Sequence, residues 1–444
     1  MSDKSTPHLY LIGIGGVGML WIADLALSRG WQVSGSDLVS SPGTQRLQAA
    51  GATIHYGVDP TAIPADVTEA VINSAITPSS PSYPELAELE RRKIPYVKRA
   101  VWLGKITRQM TTIAVCGAHG KTTTTAMIGW ILEKAGLDPT VFVGGTVNLW
   151  GGTRIGKSQY LVIEADEYDR SFHQFTPQMA VVLNIDLDHE DYYTGGIAEI
   201  EHSYRRFLRN LPTKTGLVVG YGKDGRIRKV CRGFSYRFRW YDEEHLWPGL
   251  RLPVPGKHLE LNATAAARIA HELGVSQEVI KEALATFPGV GRRFEHLGVW
   301  EGVEVYDDYA HHPQELAATL STLAKKFPGK KTTLIFQPHQ KARTKNLLKE
   351  FGRAFDESPP SRLILAPIYQ VAGREEDIAV TSGDVASEIK KKLPAGLQLE
   401  VAEDESQLEQ LAREAAKNSE VLVVAGAGSI RRFLENWMRG SDGR

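Results

Sequence analysis

Short apolar runs of strand length alternate with helical patterns through most of this 444-residue chain. The apolar runs lie at residues 8–12, 31–35, 69–76, 111–116, 159–163, 179–185, 303–306, 332–336, 363–366 and 421–425. Between them, for example at 19–27 and 126–132, apolar residues recur at helical spacing. Strands that alternate with helices predict parallel sheets of the α/β class. The chain is too long for one ordinary hydrophobic core, so two or three domains are expected.

A glycine-rich loop, G-I-G-G-V-G at residues 13–18, joins the first apolar run to the first helical pattern. This spacing lets a diphosphate approach the main chain at the beginning of a helix. Asp37 follows the next strand, where an acid either contacts a ribose or caps a turn. We therefore expect a Rossmann-like domain over residues 1–106. On these residues alone, a dinucleotide-dependent oxidoreductase is the default, although the same loop serves any diphosphate.

A second strand–loop–helix unit has the residues of a nucleoside triphosphate site. The loop consists of Gly117, Ala118, His119, Gly120, Lys121, Thr122 and Thr123. Lys121 would reach the terminal phosphates, and the Thr122 hydroxyl would hold Mg²⁺. The loop is shorter than the full P-loop pattern, because Val115 stands where the first glycine would be. The alternative is a glycine turn with an ordinary surface lysine, but the strand and helix around it favour ATP or GTP binding.

Acidic residues collect where two strands of the middle segment end. They are Glu164, Asp166 and Glu167 after one strand, and Asp186 and Asp188, with His189, after the next. Side chains at the carboxyl ends of parallel strands face the ligand crevice, and Mg²⁺ prefers oxygen ligands. We predict that Glu164 and His189 contact metal or phosphate, whereas turn and cap chemistry also explains Asp186 and Asp188. Residues 107–291 are predicted to form a central, P-loop ATPase-like domain with a mostly parallel sheet and a small β subdomain.

The third segment, at residues 292–444, is predicted to be a C-terminal Rossmann-like α/β domain. Its polar residues again follow strands, as in D-D-Y-A-H-H-P at 307–313 and Q-P-H-Q-K-A-R-T at 337–344. Pro313 suits the first turn of a helix, which places the histidine pair at a helix entrance. Zinc is disfavoured, because no cysteine or third histidine lies nearby in the sequence.

Composition narrows the classes of function. The chain has 52 Lys and Arg and 52 Asp and Glu, and this zero net charge favours neither nucleic acid nor a membrane surface as a partner. The first residues lack the apolar core of a signal peptide, and no apolar stretch is long enough for membrane insertion. Cys116 and Cys231 cannot make a disulfide framework, which fits a reducing compartment. A cytoplasmic protein is expected.

Seven motifs in one order span nearly the whole chain: G-I-G-G-V-G-M, G-A-H-G-K-T-T-T-T, E-A-D-E-Y-D-R-S-F, N-I-D-L-D-H-E-D-Y, G-R-R-F-E, D-D-Y-A-H-H-P and F-Q-P-H followed by R-T. Together they resemble the Mur ligase family, and within it the type that adds L-alanine to UDP-N-acetylmuramate. The resemblance implies that the three domains bind the UDP-sugar, Mg–ATP and the amino acid in that order. ATP would phosphorylate the lactyl carboxylate of the sugar, and the amine of L-alanine would displace phosphate. A monomer or homodimer is expected.

The resemblance also implies roles for individual residues. UDP-sugar contacts would be Gly15, Gly16, Val17, Gly18, Asp37 and Ser74. ATP contacts would be the loop 117–123 with His258, Asn262, Arg293 and Asp308, although packing and capping explain His258 and Asn262 nearly as well. Metal ligands would be Thr122, Glu164 and His189. Amino-acid contacts would be Tyr309, His311 and Arg343, and the catalytic group would be Lys121, Glu164, His189, His311 and Arg343.

Departures from the family pattern leave amino-acid choice open. Leu259 replaces an asparagine expected after His258, which affects one adenine contact. Gln340 and Lys341 stand where the family has an arginine and a tyrosine, so glycine and L-serine join L-alanine as candidate substrates. The other readings are a ligase that attaches a preformed tripeptide during wall recycling, an NAD-dependent oxidoreductase, and a non-catalytic protein that retains ATP affinity.

Overall fold

The computed structural model describes residues 6–147, 150–187, 192–370, 378–392 and 397–441. His189 and Asp188 lie outside these ranges. No helix within the ranges has both the length and the apolar character required to cross a bilayer.

The N-terminal sheet is parallel, with helices between its strands. Its strands are β1 (His8–Ile12), β2 (Gln32–Asp37), β3 (Thr53–Tyr56), β4 (Glu69–Ile72) and β5 (Tyr96–Lys98). Its helices are α1 (Val17–Ser28), α2 (Pro42–Ala49), α3 (Tyr83–Arg91) and α4 (Arg99–Gln109), with a 3₁₀ turn at Pro60–Ala62. The spatial order is β3-β2-β1-β4-β5. The order reverses at β1, so the first glycine loop lies at the switch point where such sheets bind ligands.

The central sheet is larger and carries the second loop. Its strands are β6 (Thr111–Cys116), β7 (Thr140–Val147), β8 (Gly151–Arg154), β9 (Tyr160–Glu164), β10 (Met179–Val182), β11 (Leu217–Tyr221) and β12 (Arg237–Tyr241). Its helices are α5 (Lys121–Lys134), α6 (Ile197–Leu208), α7 (Gly225–Cys231), α8 (Lys257–Glu272) and α9 (Gln277–Ala285), with a 3₁₀ segment at Tyr168–Gln174. In the order β12-β11-β10-β6-β9-β7-β8, β6 lies between β9 and β10. β9 ends in Glu164, and β10 ends shortly before Asn184. Apart from the antiparallel β7–β8 pair, these neighbours run parallel.

The β-rich passage at 215–255 does not form a β subdomain of its own within the described residues. Its two strands, β11 and β12, extend the central sheet in parallel, with α7 between them. Leu217, Val218 and Val219 are buried, so this passage has the apolar strand that a covered parallel sheet needs. The prediction of α/β architecture with mostly parallel sheets is confirmed, and this passage is part of that architecture.

The first two sheets share one hydrophobic core. A single cluster of buried residues includes Leu11 from β1 and Ala114 from β6. Trp21 of α1 stacks on Phe142 of β7 with ring centroids 5.5 Å apart, an arrangement worth about 0.5–1.5 kcal/mol beyond the area buried. Residues Met1–Arg251 and Leu261–Pro288 accordingly form one compact unit.

The C-terminal sheet belongs to the second compact unit, Leu252–Glu260 with Gly289–Arg444. Its strands are β13 (Glu295–Trp300), β14 (Val303–Asp308), β15 (Thr332–Phe336), β16 (Arg362–Leu365), β17 (Gln398–Val401) and β18 (Val421–Ala425). Its helices are α10 (Pro313–Lys326), α11 (Lys341–Asn346), α12 (Leu348–Ala354), α13 (Ser382–Lys390), α14 (Glu405–Asn418) and α15 (Ile430–Ser441). The order is β13-β14-β18-β15-β16-β17, with only β13 antiparallel among these described strands. Separate apolar clusters cover its two faces, so helices pack on both sides.

Candidate active site

The loop after β6 depends on two glycines with positive φ. Gly117 has φ 144° and Gly120 has φ 85°, backbone conformations that other residues adopt only with strain. A Cβ at residue 117 would lie 3.0 Å from Cβ of Leu183, and one at residue 120 would lie 2.8 Å from Oδ1 of Asn262. At these two positions the main chain packs closely against the end of β10 and against α8, where a side chain would not fit.

Asn184 fastens this loop to the end of β10. The His119 N–H donates to Oδ1 of Asn184 at 2.9 Å, and Nδ2 of Asn184 donates back to the His119 carbonyl at 3.0 Å. A neutral amide thus fixes the loop without adding negative charge next to it. Sequence reasoning did not assign this residue, although the asparagine of N-I-D-L-D at a strand end was a visible signal.

The side chain of Lys121, the first residue of α5, is fixed in position by an ion pair. Its Nζ donates to the Gly117 carbonyl at 2.7 Å and to Oε2 of Glu167 at 2.9 Å. Burial acts to lower the pKa of the ammonium, but Glu167, Asp166 and Glu164 outweigh it, so the pKa lies above its ordinary value. The lysine is therefore always charged. Glu167, only 3% exposed, is a second residue that the sequence prediction left without a role.

Glu164 and Thr122 meet beside this lysine. Oγ1 of Thr122 donates to Oε2 of Glu164 at 3.2 Å, and the Gly144 N–H donates to Oε1 of Glu164. Burial raises the pKa of the Glu164 carboxyl to about 7, with hydrogen bonds and Lys121 opposing the rise. A hydroxyl and a carboxylate at this distance are oxygen ligands of the kind that Mg²⁺ takes together with phosphate oxygens and waters.

The described residues contain no site in which protein side chains alone would bind a metal ion. No group of three or more His, Cys, Asp or Glu suited to a metal ion occurs in the described part of the chain. Mg²⁺ usually keeps several waters and is bound through one or two carboxylates plus substrate phosphates. The pair Thr122–Glu164 fits that mode. The predicted third ligand, His189, lies outside the described residues.

The first glycine loop is fastened by a carboxylate. The Gly15 N–H donates to Oδ2 of Asp37 at 2.8 Å, and a Cβ at residue 15 would lie 2.8 Å from the same oxygen. Gly13 has φ 76°, and a Cβ there would lie 2.9 Å from Nδ2 of Asn73. Asp37, at the end of β2, thus lies directly over the loop, as an acid that contacts a ribose must.

Ser74 connects the first sheet to the central one. Its Oγ donates to Oδ2 of Asp169 at 2.6 Å. Asp169 and Arg170 both have positive φ, 50° and 58°, which is a strained conformation for residues with side chains. These two residues of the E-A-D-E-Y-D-R-S-F motif are held by side-chain contacts, including the ion pair of Arg170 with Glu199. Strain of this kind concentrates at ligand sites.

In the second compact unit, Asp308 organises the end of β14. Its Oδ2 accepts the Phe294 N–H at 2.9 Å and its Oδ1 accepts the Ala310 N–H at 2.8 Å. Burial raises its pKa to about 6, while Arg293 opposes the rise. The neighbouring Asp307, on the opposite face of the strand, instead pairs with Arg431 at 2.8 Å.

The loops after β14 and β15 bring together a histidine and arginine cluster. The ring centroids of His311 and His339 lie 5.6 Å apart, and His339 stacks on Tyr369 at 5.4 Å. Nη1 of Arg343 lies 3.4 Å from Nδ1 of His339. Burial, His311 and Arg343 lower the pKa of His339 to about 4. The Arg343 guanidinium thus lies beside uncharged rings, and a guanidinium in such surroundings can bind the carboxylate of a small ligand.

Tyr309 completes this cluster, since its ring lies 5.3 Å from that of His311 and under both Arg292 and Arg293. Sequence reasoning missed His339, which stood in the quoted F-Q-P-H motif, and Tyr369, which no motif marked. Gln340 has φ 65° and donates its N–H to the Tyr369 carbonyl at 2.8 Å.

The structure sorts the predicted site residues into two groups. Residues 15–18, Asp37, Ser74, the loop 117–123, Glu164 and Asn262 lie in the first compact unit. His258, Arg293, Asp308, Tyr309, His311 and Arg343 lie in the second. His258 and Asn262 stand on one helix, α8, which begins in the second unit and continues in the first. The first group is divided between the loop after β1 and the loop after β6, and the ligand assigned to each residue in both groups stays a prediction.

Two glycine loops at switch points of parallel sheets, one with a buried lysine and a carboxylate–threonine pair, define a nucleotide-dependent α/β enzyme. Three family models match consecutive parts of the chain: the Mur ligase family catalytic domain at residues 8–111, the Mur ligase middle domain at 115–239, and the Mur ligase glutamate ligase domain at 292–428. The chain belongs to the Mur ligase family, and the resemblance seen in its motifs is confirmed.

Individual relatives cover almost the whole chain. The UDP-N-acetylmuramate–L-alanine ligase of Salinibacter ruber is 37% identical over 455 residues, which cover 96% of this chain and 94% of that protein. The crystal structure of the UDP-N-acetylmuramate–alanine ligase of Thermotoga maritima matches with a TM-score of 0.76 and 25% identity over 98% of this chain and 99% of that one. A murein peptide ligase from Psychrobacter arcticus shares the fold at a TM-score of 0.70 and 22% identity, covering 98% of each chain.

Proposed function

We propose that this chain is an ATP-dependent ligase that joins L-alanine to the lactyl carboxylate of UDP-N-acetylmuramate, a step of peptidoglycan precursor synthesis. The observation that carries the proposal is the arrangement of Lys121, Thr122 and Glu164 at the loop after β6, in a chain whose full-length relatives are named for this reaction. The first glycine loop, with Asp37 over it, is the proposed site of the UDP-sugar.

The first chemical step is phosphoryl transfer from ATP to the sugar carboxylate. It requires charge neutralisation and positioning more than acid–base chemistry. Lys121, already charged and held at Gly117, is placed to bind the transferred phosphoryl group. The ion pair with Glu167 and the hydrogen bond to the Gly117 carbonyl hold the lysine against the loop. The product of this step is an acyl phosphate and ADP.

Mg²⁺ is the proposed cofactor. Thr122 and Glu164 would hold it, and His189 is the further ligand that the sequence predicts. When bound, the cation supplies positive charge to the phosphate oxygens. Asn262, whose Oδ1 lies close to Gly120, is proposed to contact ATP from α8. His258, Arg293 and Asp308 are proposed nucleotide contacts from the second compact unit.

The second step is attack of an amine on the acyl phosphate. Arg343 is proposed to bind the carboxylate of the incoming amino acid, and Tyr309 and His311 to form the remaining wall of the pocket. Gln340 and Lys341 stand beside Arg343, so L-alanine, glycine and L-serine are the candidate amino acids. The proposed division of the chain is 1–106, 107–291 and 292–444, acting as a monomer or homodimer in the cytoplasm.

The proposal is tested by phosphate release from ATP with UDP-N-acetylmuramate and a panel of amino acids that includes L-alanine, glycine, L-serine and the wall tripeptide. We expect phosphate release that requires the UDP-sugar and is fastest with L-alanine, with the amide product detected by mass. Preference for the tripeptide would show that the chain is a ligase of wall recycling instead. Absence of any UDP-sugar dependence would refute the proposal.

A further inference from the structure

Glu315 makes contacts in two directions at the entrance of α10. Its Oε2 accepts the main-chain N–H groups of His311 at 3.2 Å and His312 at 3.3 Å, and it also lies 3.2 Å from Nδ1 of His311. Its Oε1 lies 3.5 Å from Nη1 of Arg293. The side chain is 12% exposed. One carboxylate therefore contacts both a residue of the proposed amino-acid pocket and a proposed nucleotide contact.

The surroundings of His311 determine which ring nitrogen carries its proton. Nδ1 lies 3.1 Å from the Tyr309 carbonyl oxygen and 3.2 Å from Oε2 of Glu315. Both oxygens only accept hydrogen bonds, so a neutral ring must carry its hydrogen on Nδ1. The lone pair is then on Nε2, for which the described residues provide no hydrogen-bond donor.

Several charged groups face this ring. Glu315 comes from α10, Arg343 from α11, Arg293 from the segment before β13, and the neutral His339 from the end of β15. Burial lowers the pKa of His311, Glu315 opposes this, and Arg343 and Arg293 add to the fall. Glu315 is thus the one ionisable side chain of this set that raises the pKa of His311, and the Tyr309 carbonyl acts in the same direction.

We infer that Glu315 is a positioning residue, which keeps His311 in the tautomer that takes a proton from the incoming amino acid and links that histidine to Arg293. The inference rests on the proposed function, since that reaction supplies an ammonium group that must lose a proton before it attacks.

Attack of the amino acid on the acyl phosphate requires the loss of two protons from its ammonium group. Nε2 of His311 takes one proton from the α-ammonium group, and the electrons of that N–H bond stay on nitrogen as its lone pair. The lone pair forms the C–N bond at the acyl carbon, the C–O bond to phosphate breaks, and phosphate departs with its electrons. The second ammonium proton leaves with the phosphate. The His311 imidazolium, stabilised by Glu315 at Nδ1–H, returns its proton to solvent.

A purely structural function of Glu315 is the competing explanation. The two main-chain contacts are those of a capping residue at the third helical position, where glutamate and glutamine both serve. Glu315→Gln therefore keeps an oxygen for the helix entrance and removes only the charge. A residue that merely caps α10 would tolerate this change without altered proton transfer.

The test separates two fates of one acyl phosphate. With UDP-N-acetylmuramate and ATP, hydroxylamine traps the intermediate as a hydroxamate, whereas L-alanine gives the amide. Hydroxylamine is largely unprotonated at neutral pH, so it does not need His311. The ratio of amide to hydroxamate is measured against pH for the wild type, Glu315→Gln and His311→Gln, with thermal unfolding as a check of folding.

We expect His311→Gln to lower the ratio by about 10²- to 10⁴-fold at neutral pH, the usual contribution of general base catalysis. The deficit should shrink at alkaline pH, where the amine loses its proton unaided. Glu315→Gln should lower the ratio by about 10- to 100-fold and move the acid limb of the profile to lower pH, because the imidazolium loses its stabilising charge.

The matched control is a second histidine–glutamate pair of the same unit. Nε2 of His296 lies 2.5 Å from Oε2 of Glu304, with both side chains about half exposed on β13 and β14. His296→Gln and Glu304→Gln should leave the ratio and its pH profile unchanged. A change as large as that of the pocket variants would overturn the inference.

An unchanged ratio and profile in Glu315→Gln would also overturn it, as would equal losses of amide and hydroxamate. A wild type that forms no hydroxamate would instead contradict the proposed function. In that case ¹⁵N NMR of the imidazole rings in the free protein still identifies the tautomer of His311. We expect a proton on Nδ1 of His311 in the wild type, and a proton on Nε2 would refute the inference.

Discussion

The two glycine loops of the first compact unit are built alike but are fastened by side chains of different charge. Each follows a strand at a switch point, begins a helix, and is fastened by one side chain from the end of the neighbouring strand. At the first loop that side chain is the carboxylate of Asp37, and no lysine stands in the loop. At the second it is the neutral amide of Asn184, with Lys121 beside it.

Under the proposed function, this difference distinguishes a loop that binds the UDP-sugar from a loop that activates ATP. A carboxylate over the first loop suits the hydroxyl groups of a ribose and repels additional phosphate. A neutral fastening and a cation at the second loop suit a triphosphate whose charge is redistributed during transfer. We therefore expect the side chain at the end of the adjacent strand, Asp37 or Asn184, to distinguish the two loops.

The largest expected effect is from Lys121→Ala, which removes the cation from the second loop. We expect ATP-dependent ligation to fall by about 10²- to 10³-fold, since a fixed donor to the transferred group is lost. Phosphate release with saturating substrates measures this. The double variant with Glu167→Gln should recover thermal stability lost to the unpaired buried carboxylate but not activity.

Lys105→Ala is the control for Lys121→Ala. Lys105 pairs with Glu69 at 2.7 Å on the partly exposed surface of α4. Such a pair contributes about 0–1 kcal/mol to stability, so its loss should leave ligation intact. Full ligation by Lys121→Ala would show that the loop after β6 is not the phosphate site.

The next effect concerns pH and Mg²⁺. Because burial raises the pKa of Glu164 to about 7, the carboxyl holds a proton below that pH which the cation must displace. Mg²⁺ affinity in the presence of ATP should weaken by about tenfold for each pH unit below the pKa and level off above it. Calorimetry in buffers of different ionisation enthalpy measures the released proton. Glu164→Gln should bind Mg²⁺ more weakly and without this proton release, and an unchanged pH dependence would remove Glu164 from the metal site.

Asn184→Asp gives the second loop the charge that the first one has. We expect the KM for ATP to rise by about 10- to 100-fold, because the aspartate repels phosphate and cannot donate to the His119 carbonyl. The KM for UDP-N-acetylmuramate, measured in the same assay, should stay unchanged. A rise in both constants would indicate general disruption of the unit and contradict the comparison.

The smallest expected effect is from Asp37→Asn, the reverse change at the first loop. The hydrogen bond from Gly15 is retained in neutral form, so folding should be little affected. Loss of charge should raise the KM for the UDP-sugar by about tenfold, the difference between charged and neutral hydrogen bonds. ATP should bind as before. Unaltered UDP-sugar binding would leave Asp37 with a capping function alone.

Features encoded within short stretches of sequence were predictable. Both loops, the strands that precede them and the helices that follow depend on local glycine, lysine and apolar patterns. The α/β class followed from the same alternation, and the structure confirms it. The ligase family followed from motif order, because several motifs in one order are more specific than any single one.

Features that depend on strand order were not predictable. Asn184 reaches the second loop because β10 pairs with β6, although more than 60 residues separate His119 from Asn184. Tyr369 reaches His339 in a similar way, from a loop that no motif marks. The β-rich passage at 215–255 belongs to the central sheet because β11 pairs in parallel with β10, which is a long-range pairing. Side-chain partners across a sheet require the topology first.

Cys116, the last residue of β6, is fully buried, and its Sγ donates to the Val181 carbonyl of β10 at 3.3 Å. Burial raises the pKa of its thiol well above the ordinary value, so the folded protein protects it from thiol reagents. Modification then requires β6 and β10 to separate beneath the nucleotide loop. The rate at which a thiol reagent modifies Cys116 therefore reports how often β6 and β10 separate locally. Bound nucleotide should lower this rate.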